Sequence, residues 1–413
     1  ARHVAADAPT RFPGIASVAG AVDMPALIQG KAALVESMRT EKYVDLAADY
    51  GWTMISGDAS FTGTQDAPLL RVISPDGAVR TIEAGHYLVA TGSAPYVPPV
   101  PGLAEAGYLT STTAMELDEV PESMLILGGG YVALEMAQLF SRLGSRVTML
   151  VRSRLASQEE PEASKALAGV FADEGVRRAM ADSVASGPDG VSVTANVAGG
   201  EEVFRASRIL VALGRRPVTE GLDLDAVGVK TGASGEIVVD SRLATSNPRV
   251  WAAGDATGHR EFVYVAAAHG ALAVDNAFTD ALAEVDYRHL PRVAFTSPAI
   301  GAVGMTEKEA VAAGISCECR VLPLEYVPRA VVNRDTRGFI KVVADRDTGR
   351  ILGLSAVAKD AGEIAAAGVY ILEAGMTTAQ VAAAWSPYLT MAEGIRIAAK
   401  AFTTDVSKLS CCA

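Results

Sequence analysis

Two adjacent thiols near the carboxyl end, Cys411 and Cys412, are the residues whose type and spacing point most directly to chemistry. Neighbouring cysteines close a disulfide only with strain, whereas a large, soft cation that prefers two thiolates in a line bridges them easily. Chain ends are also commonly frayed and tolerant of substitution. The pair therefore indicates either a soft-metal site or incidental cysteines on a loose tail, and residues upstream must decide between the two.

The other two cysteines, Cys317 and Cys319, alternate in an extended segment and are expected to face the same side of it. Two ligands on a surface strand are weak evidence for a metal site, so we interpret them as incidental thiols. Four cysteines without the spacing of a disulfide framework are typical of a reducing compartment, which predicts a cytoplasmic location. The five histidines show no ligand spacing, and none is a favoured catalytic base.

Length and charge narrow the class of protein. A chain of 413 residues suggests about three domains. The formal net charge of -12, without any basic block, argues against nucleic-acid or membrane-surface partners. The longest weakly polar run, residues 262–274, falls short of the ~20 residues that a bilayer span needs. A small-molecule enzyme fits these properties best.

A dinucleotide-binding pattern occurs in the middle of the chain. A buried-strand pattern at Met124–Leu127 leads into Gly128-x-Gly130-x-x-Ala133, which is followed by a helical pattern and by a second strand at Val147–Val151. In such a turn Gly128 permits the tight bend, Gly130 lets the backbone approach a pyrophosphate, and Ala133 keeps the helix close to the sheet. The glycines alone could belong to any tight turn, but the full order of elements favours a cofactor site.

The end of the second strand indicates which dinucleotide binds. An NAD site usually places a carboxylate there for the ribose 2′-hydroxyl. This chain has Arg152 and Arg154 instead, and arginines can pair with a 2′-phosphate. The prediction is NADPH, although surface arginines can also decorate a loop without any ligand.

The surrounding patterns supply the elements that position these residues. A helix is predicted from Asp23 to about Gly51, then a small antiparallel sheet over residues 51–82 and one strand over 86–95. Buried strands ending in glycine follow at 208–214 and 250–255. Beyond about Leu290 the mixture of strand and helix patterns predicts a separate α+β domain.

Four motifs in order carry a resemblance to a known family. They are Ala90-Thr91-Gly92, the glycine turn continued to Glu135, Gly214-Arg215-Arg216-Pro217 and Ala253-Gly254-Asp255. Their order resembles that of the flavin-linked pyridine nucleotide-disulphide oxidoreductases. The resemblance implies FAD as a second cofactor, with Thr91, Gly92, Gly214, Gly254 and Asp255 lying against it.

The resemblance also implies a fold class, namely α/β with two nested dinucleotide-binding (FAD and NADP) Rossmann-like domains and a C-terminal α+β dimerisation domain. We expect the first part of the FAD domain at residues 1–113 and the NADP domain at 114–235. The second part of the FAD domain is expected at 236–286, and the dimerisation domain with a metal-binding tail at 287–413.

The last domain points to one branch of the family. Members that exchange disulfides carry a His-Pro pair there, whereas this chain has Ser386-Pro387-Tyr388. This segment and the tail resemble the branch that reduces Hg(II) to Hg(0). The resemblance implies that NADPH and FAD reduce a thiol complex of Hg(II) held by Cys411 and Cys412, and that in a homodimer each tail serves the partner's site.

The same resemblance assigns further roles. Tyr388 would line the path of the metal, Tyr131 would lie where the nicotinamide stacks on the flavin, and Glu135 would be near the nicotinamide. Other interpretations stay open, because Tyr131 could merely close the first turn of its helix and Tyr388 could be an interface aromatic.

The start of the sequence departs from the family pattern. Family members begin with a glycine-rich strand-helix unit and a helix bearing Cys-x-x-x-x-Cys beside the flavin. In this chain no glycine-rich strand-helix turn precedes Ala21, and no cysteine precedes Cys317. We expect the sequence to start just after that helix, as part of a longer polypeptide; on its own it would bind FAD poorly and reduce Hg(II) inefficiently. Two alternatives remain, another disulfide or quinone reductase of the family and a truncated, non-catalytic module for metal binding or dimerisation.

Overall fold

The computed structural model describes residues 2–100, 102–179, 185–187, 190–197 and 200–409. Their α-helices are α1 (Arg2–Arg11), α2 (Met24–Arg39), α3 (Asp45–Asp49), α4 (Ser111–Ala114), α5 (Tyr131–Leu143), α6 (Pro161–Asp173), α7 (Val263–Phe278), α8 (Glu307–Ala312), α9 (Pro328–Val332), α10 (Ala361–Glu373), α11 (Thr378–Ala383) and α12 (Glu393–Lys400). None of these helices combines the length and the apolar character that crossing a membrane requires.

The strands of the same residues are β1 (Asp58–Gly63), β2 (Pro68–Ile73), β3 (Val79–Ile82), β4 (Tyr87–Val89), β5 (Ser93–Pro95), β6 (Ser123–Leu127), β7 (Arg146–Leu150), β8 (Arg177–Ala179), β9 (Ala185–Gly187), β10 (Gly190–Val197), β11 (Gly200–Ala206), β12 (Arg208–Val211), β13 (Arg215–Pro217), β14 (Val250–Ala252), β15 (Arg292–Ala294), β16 (Ala299–Gly304), β17 (Cys317–Pro323), β18 (Phe339–Asp345) and β19 (Ile351–Ala358). Short 3₁₀ turns occur at Leu224–Val227, Gly254–Thr257, Leu324–Tyr326 and Val406–Lys408.

The chain forms two compact units, each made of separate stretches of sequence. The first unit contains residues 1–25, 97–213 and 287–413, and the second contains residues 26–96 and 214–286. The domain boundaries expected from the sequence stay a prediction.

A parallel sheet with the strand order β12-β6-β7-β8 lies in the first unit. Every residue of β6 is buried, as expected for a parallel strand whose two faces are both covered. Helices α5 and α6 supply Leu134 and Leu167 to the same core as the β6 residue Met124. The strand, turn, helix and strand predicted over residues 124–151 are therefore confirmed.

The first unit also contains a five-stranded antiparallel sheet in the order β15-β16-β19-β18-β17. Strands β18 and β19 are almost wholly buried, and α10 supplies Ile364 and Leu372 to their core. The α+β pattern predicted beyond Leu290 is confirmed by this sheet and its helices.

The second unit holds the antiparallel sheet β1-β2-β3 and two small strand pairs, β4 with β14 and β5 with β13. The small sheet was predicted correctly from its turn residues. The single strand expected over residues 86–95 is wrong, because the chain forms β4 and β5 with a bend between them. Gly92 adopts a left-handed conformation (φ +71°), which ends the extended run.

The long helix predicted up to Gly51 is confirmed in outline. Helix α2 continues through a π-helical turn at Thr40–Val44 into α3. Gly51 then reverses the chain with φ +67°, and the backbone amide of Trp52 donates to the carbonyl of Ala47 at 2.8 Å.

Candidate functional site

The glycine turn between β6 and α5 is shaped by contacts within the protein. Gly128 has φ +128°, and a Cβ atom placed there would lie 2.2 Å from the carbonyl oxygen of Ala212. A Cβ atom at Gly130, in contrast, would have no protein atom within 4 Å. Ala133 is fully buried against the sheet. The turn thus leaves open space beside Gly130 at the start of a 13-residue helix, where backbone amides favour a phosphate group.

The two arginines after β7 have different environments. Arg152 is exposed and makes no hydrogen bond among the described residues. Arg154 donates to the Ser164 hydroxyl and to the carbonyl oxygens of Ser157 and Glu159, at 2.9, 2.7 and 2.6 Å. Arg152 is therefore open to an anionic ligand, whereas Arg154 braces its own loop. Pairing of Arg154 with a 2′-phosphate stays a prediction.

Tyr131, at the start of α5, belongs to a buried ionic group. Its hydroxyl donates to Oε1 of Glu159 at 2.5 Å. Arg292 holds both oxygens of that carboxylate, with Nε to Oε1 at 2.8 Å and Nη2 to Oε2 at 3.1 Å. Burial, followed by the charge and hydrogen bond of Glu159, raises the pKa of Tyr131, so the phenol stays a proton donor. Tyr131 therefore closes the first turn of α5 and also has a fixed hydrogen-bond partner, Glu159.

Glu135 lies one helical turn after Tyr131 and is half-buried. Its Oε1 accepts a hydrogen bond from the backbone amide of Phe295 at 2.8 Å. Burial raises the pKa of Glu135, and the hydrogen bond from Phe295 offsets part of that rise. The carboxylate thus has a structural partner, and its position near a nicotinamide stays a prediction.

A second buried ionic group holds the loop after β7 at the same end as Glu159. Lys341 on β18 is 1% exposed, and its Nζ donates to carboxylates of Glu160, Glu162 and Glu307 at 3.0, 3.0 and 2.8 Å. Burial lowers the pKa of Lys341, but its hydrogen bonds to the three carboxylates raise that pKa by more than burial lowers it, so the ammonium stays charged. Together with Arg292, Lys341 ties the loop after β7 to the antiparallel sheet of the same unit.

The Gly-Asp turn after β14 lies in the second unit and is held by polar side chains. Oδ2 of Asp255 accepts from the Ser93 hydroxyl at 2.7 Å, and that hydroxyl accepts from Nε of Arg215 at 2.7 Å. The backbone amide of Gly254 donates to Nδ1 of His269 at 3.2 Å. Among the described residues, Oδ2 of Asp255 accepts a hydrogen bond and Oδ1 accepts none. Oδ1 can therefore still accept a hydrogen bond from a ligand hydroxyl.

The other predicted flavin contacts lie near this turn in the second unit. Thr91 is exposed, and the carbonyl of Gly92 accepts from the amide of Val218 at 2.9 Å. Gly214 has φ +120°, and its carbonyl accepts from the amide of Tyr96 at 2.9 Å. The motifs at residues 90–92, 214–217 and 253–255 thus converge, although a flavin contact of each residue stays a prediction.

Sequence reasoning missed four supporting residues. Ser93 and Arg215 lay beside or inside quoted motifs, so their proximity to Asp255 could have been suspected. His269 was set aside as a base, yet it is fully buried and supports the Gly254 amide. Glu159 gave no sequence signal, because its partner Arg292 is 133 residues away.

Tyr388 borders a cavity of about 400 Å³ in the first unit, shared with Tyr326, Glu393 and Leu409. The tail thiols Cys411 and Cys412 lie outside the described residues. Within residues 2–409, apart from the gaps named above, no group of three or more His, Cys, Asp or Glu side chains is arranged to hold a metal ion.

The parallel sheet and its glycine turn define an α/β protein of the dinucleotide-binding class. Residues 4–270 match the family described as pyridine nucleotide-disulphide oxidoreductase, and residues 290–399 match its dimerisation domain. The chain belongs to the pyridine nucleotide-disulphide oxidoreductase family, as its motifs predicted.

Individual relatives agree with this assignment. A protein named mercuric reductase from Streptomyces lividans is 55% identical over 416 aligned residues, covering 100% of this chain and 87% of that protein. A mercuric reductase from Staphylococcus aureus is 41% identical, covering 97% of this chain and 73% of the relative. Among solved structures, the Cu(II) complex of the HOCl-induced flavoprotein disulfide reductase RclA from Escherichia coli superposes with a TM-score of 0.83 at 28% identity, covering 96% and 87% of the two chains.

Proposed function

We propose that this chain reduces Hg(II) to Hg(0), with NADPH as the electron donor and FAD as the relay. The observation that carries the proposal is its 55% identity, along the whole chain, to a mercuric reductase. The overall reaction is balanced when NADPH and Hg(II) give NADP⁺, a proton and Hg(0). When bound, the two cofactors supply hydride transfer and the passage of two electrons to the metal.

The geometry of the first unit supports the NADPH part of the proposal. The space beside Gly130 accommodates the pyrophosphate at the start of α5, and the exposed Arg152 binds the 2′-phosphate. Tyr131, held by Glu159, screens the nicotinamide position from water, and Glu135 lies one turn further along the helix. Arg154 keeps the loop closed around this site.

The second unit supports the flavin part. We assign Asp255 to a ribityl hydroxyl, because Ser93 orients its carboxylate and leaves acceptor capacity. The glycines at 92, 214 and 254 all have φ values that favour glycine, which lets the backbone turn closely around a ligand. Thr91 completes the set of proposed FAD contacts.

The metal enters, in this proposal, as a complex with small thiols. Cys411 and Cys412 capture it by ligand exchange, since soft cations prefer thiolates. The match to a dimerisation domain supports a homodimer, and we propose that each tail serves the partner's site, with Tyr388 lining the metal's path. We assign the reaction to the cytoplasm, where small thiols are kept reduced.

The test is an assay of the FAD-loaded full-length polypeptide that contains this chain, with NADPH and Hg(II) in excess thiol. We expect mercury-dependent oxidation of NADPH with one Hg(0) released per NADPH consumed. A Cys411→Ser, Cys412→Ser variant should lose most of this activity while its NADPH binding is unchanged. Absence of mercury-dependent turnover in the FAD-loaded protein would exclude the proposal, and efficient turnover of a disulfide by the double variant would favour a disulfide reductase instead.

A further inference from the structure

The edge strand β17 brings Cys317 and Cys319 to the same face of the antiparallel sheet. Residues two apart on a strand point to the same side, and their partners on β18 are Asp345 and Val343. Both thiols are free and partly exposed. The two sulfur atoms therefore lie side by side at an accessible edge of the first unit.

Interactions of the Cys319 thiol show that the two side chains converge. The Glu307 carboxylate and the Cys317 thiol both lie close enough to the Cys319 thiol to act on it electrostatically. That carboxylate also accepts from Nζ of Lys341 at 2.8 Å, so its position is fixed. The two thiols are thus placed together on β17, beside a carboxylate of α8 whose position Lys341 of β18 fixes.

The number of ligands decides which class of cation fits. Because the described residues offer no group of three or more metal-binding side chains here, a four-coordinate or octahedral cation has too few ligands. A soft cation that accepts two thiolates in a line needs only this pair. We propose that Cys317 and Cys319 bind one Hg(II) as a two-thiolate site, separate from the tail thiols and independent of reductase activity.

Binding is an exchange of protons for metal. Both thiol protons are released as the two sulfur-mercury bonds form, and no electrons are transferred. Because one strand holds both sulfurs, the second bond forms at a high effective concentration, which favours the pair over two separate monothiols.

The experiment measures retention of Hg(II) against a competing monothiol. The full chain with Cys411→Ser and Cys412→Ser is reduced, loaded with Hg(II), dialysed against excess glutathione and analysed for mercury per chain. We expect one Hg(II) per chain. Adding either Cys317→Ser or Cys319→Ser should weaken binding by about a hundredfold or more, because the chelate is lost.

Matched measurements keep the result interpretable. Circular dichroism and thermal unfolding of the serine variants show whether they fold, and a Cys319→Ser variant that retains mercury would overturn the proposal. Complete loss of mercury from the tail-free parent in glutathione would also overturn it. If the tail-free chain binds this mercury while the FAD-loaded protein with Cys411 and Cys412 intact shows no mercury-dependent NADPH oxidation, the proposed function is contradicted and the Cys317–Cys319 site still stands.

Discussion

The two glycine turns of this chain, at Gly128 and at Gly254, are held in place by different kinds of interaction. The first turn is fixed by backbone packing against Ala212 and by a loop that buried ion pairs hold. The second is fixed by a hydrogen bond that the Gly254 amide donates to His269 and by one that the Ser93 hydroxyl donates to the Asp255 carboxylate. Both present a backbone turn to a dinucleotide in the proposed function, yet one depends on buried charge and the other on hydrogen-bond acceptors.

This difference teaches where each turn is vulnerable. Removing one partner of a buried ion pair leaves an uncompensated charge, which costs about 3–5 kcal/mol. Leaving a buried amide without an acceptor costs about 1–3 kcal/mol. The first turn should therefore lose more stability when a distant side chain is substituted. The stability of the second turn should depend more on pH, because one of its hydrogen-bond acceptors is a histidine.

The largest effect is expected from Glu159→Gln. Glutamine keeps the shape and an acceptor for Tyr131, but it removes the carboxylate charge that pairs directly with the buried Arg292. We expect a loss of about 3–5 kcal/mol in the free energy of unfolding, measured by urea denaturation. The control is Glu202→Gln, which breaks the exposed pair with Arg177 and should cost at most about 1 kcal/mol. Equal losses in the two variants would show that the buried pair does not stabilise the loop.

Substitutions within the first turn separate folding from binding. Gly128→Ala must strain a φ of +128° and overlap the Ala212 carbonyl, so we expect a loss of at least about 2 kcal/mol in unfolding free energy. Gly130→Ala meets no protein atom and should leave stability within about 0.5 kcal/mol of the parent. Its NADPH affinity, measured by fluorescence titration, should nevertheless fall at least tenfold. Unchanged affinity would place the phosphates elsewhere.

These two turns also show what a sequence can and cannot predict. The Gly128 turn was predictable because strand, glycines and helix are adjacent in the chain, and each acts through local backbone geometry. The bend at Gly92 was missed because the β-prone residues around it hide one left-handed glycine. The Glu159–Arg292 and Gly254–His269 contacts join residues that only tertiary packing brings together, so no local pattern announces them.

The second turn should respond to protonation of His269. Burial, and then the nearby His259, lowers the pKa of His269 from 6.5, so the unfolded chain binds the proton more readily. Stability is therefore complete above pH 6.5 and falls below it, by up to about 1.4 kcal/mol per pH unit until the folded-state pKa is reached. Urea denaturation between pH 7.5 and about 5 would measure this slope.

A matched variant assigns the slope to this histidine. His269→Asn keeps an acceptor on a shorter side chain and removes the titrating group, so its stability should be lower by about 1–3 kcal/mol at neutral pH and should no longer fall with the same slope. His259→Asn should keep only the part of the slope that His269 contributes, because burial lowers the pKa of His259 as well. An unchanged slope in His269→Asn would assign the pH dependence to other groups.

The smallest expected effect on stability, and the sharpest on specificity, comes from the two arginines after β7. Arg152 is exposed and unpaired among the described residues, so Arg152→Ala should leave unfolding unchanged while weakening NADPH binding by about 1.5–3 kcal/mol, or at least tenfold, with little effect on NADH. Arg154→Ala removes three hydrogen bonds within the loop and should lower stability first. The contrary result is that Arg154→Ala abolishes the preference for NADPH over NADH at unchanged stability. That result would mean that Arg154 breaks its hydrogen bonds within the loop and binds the 2′-phosphate.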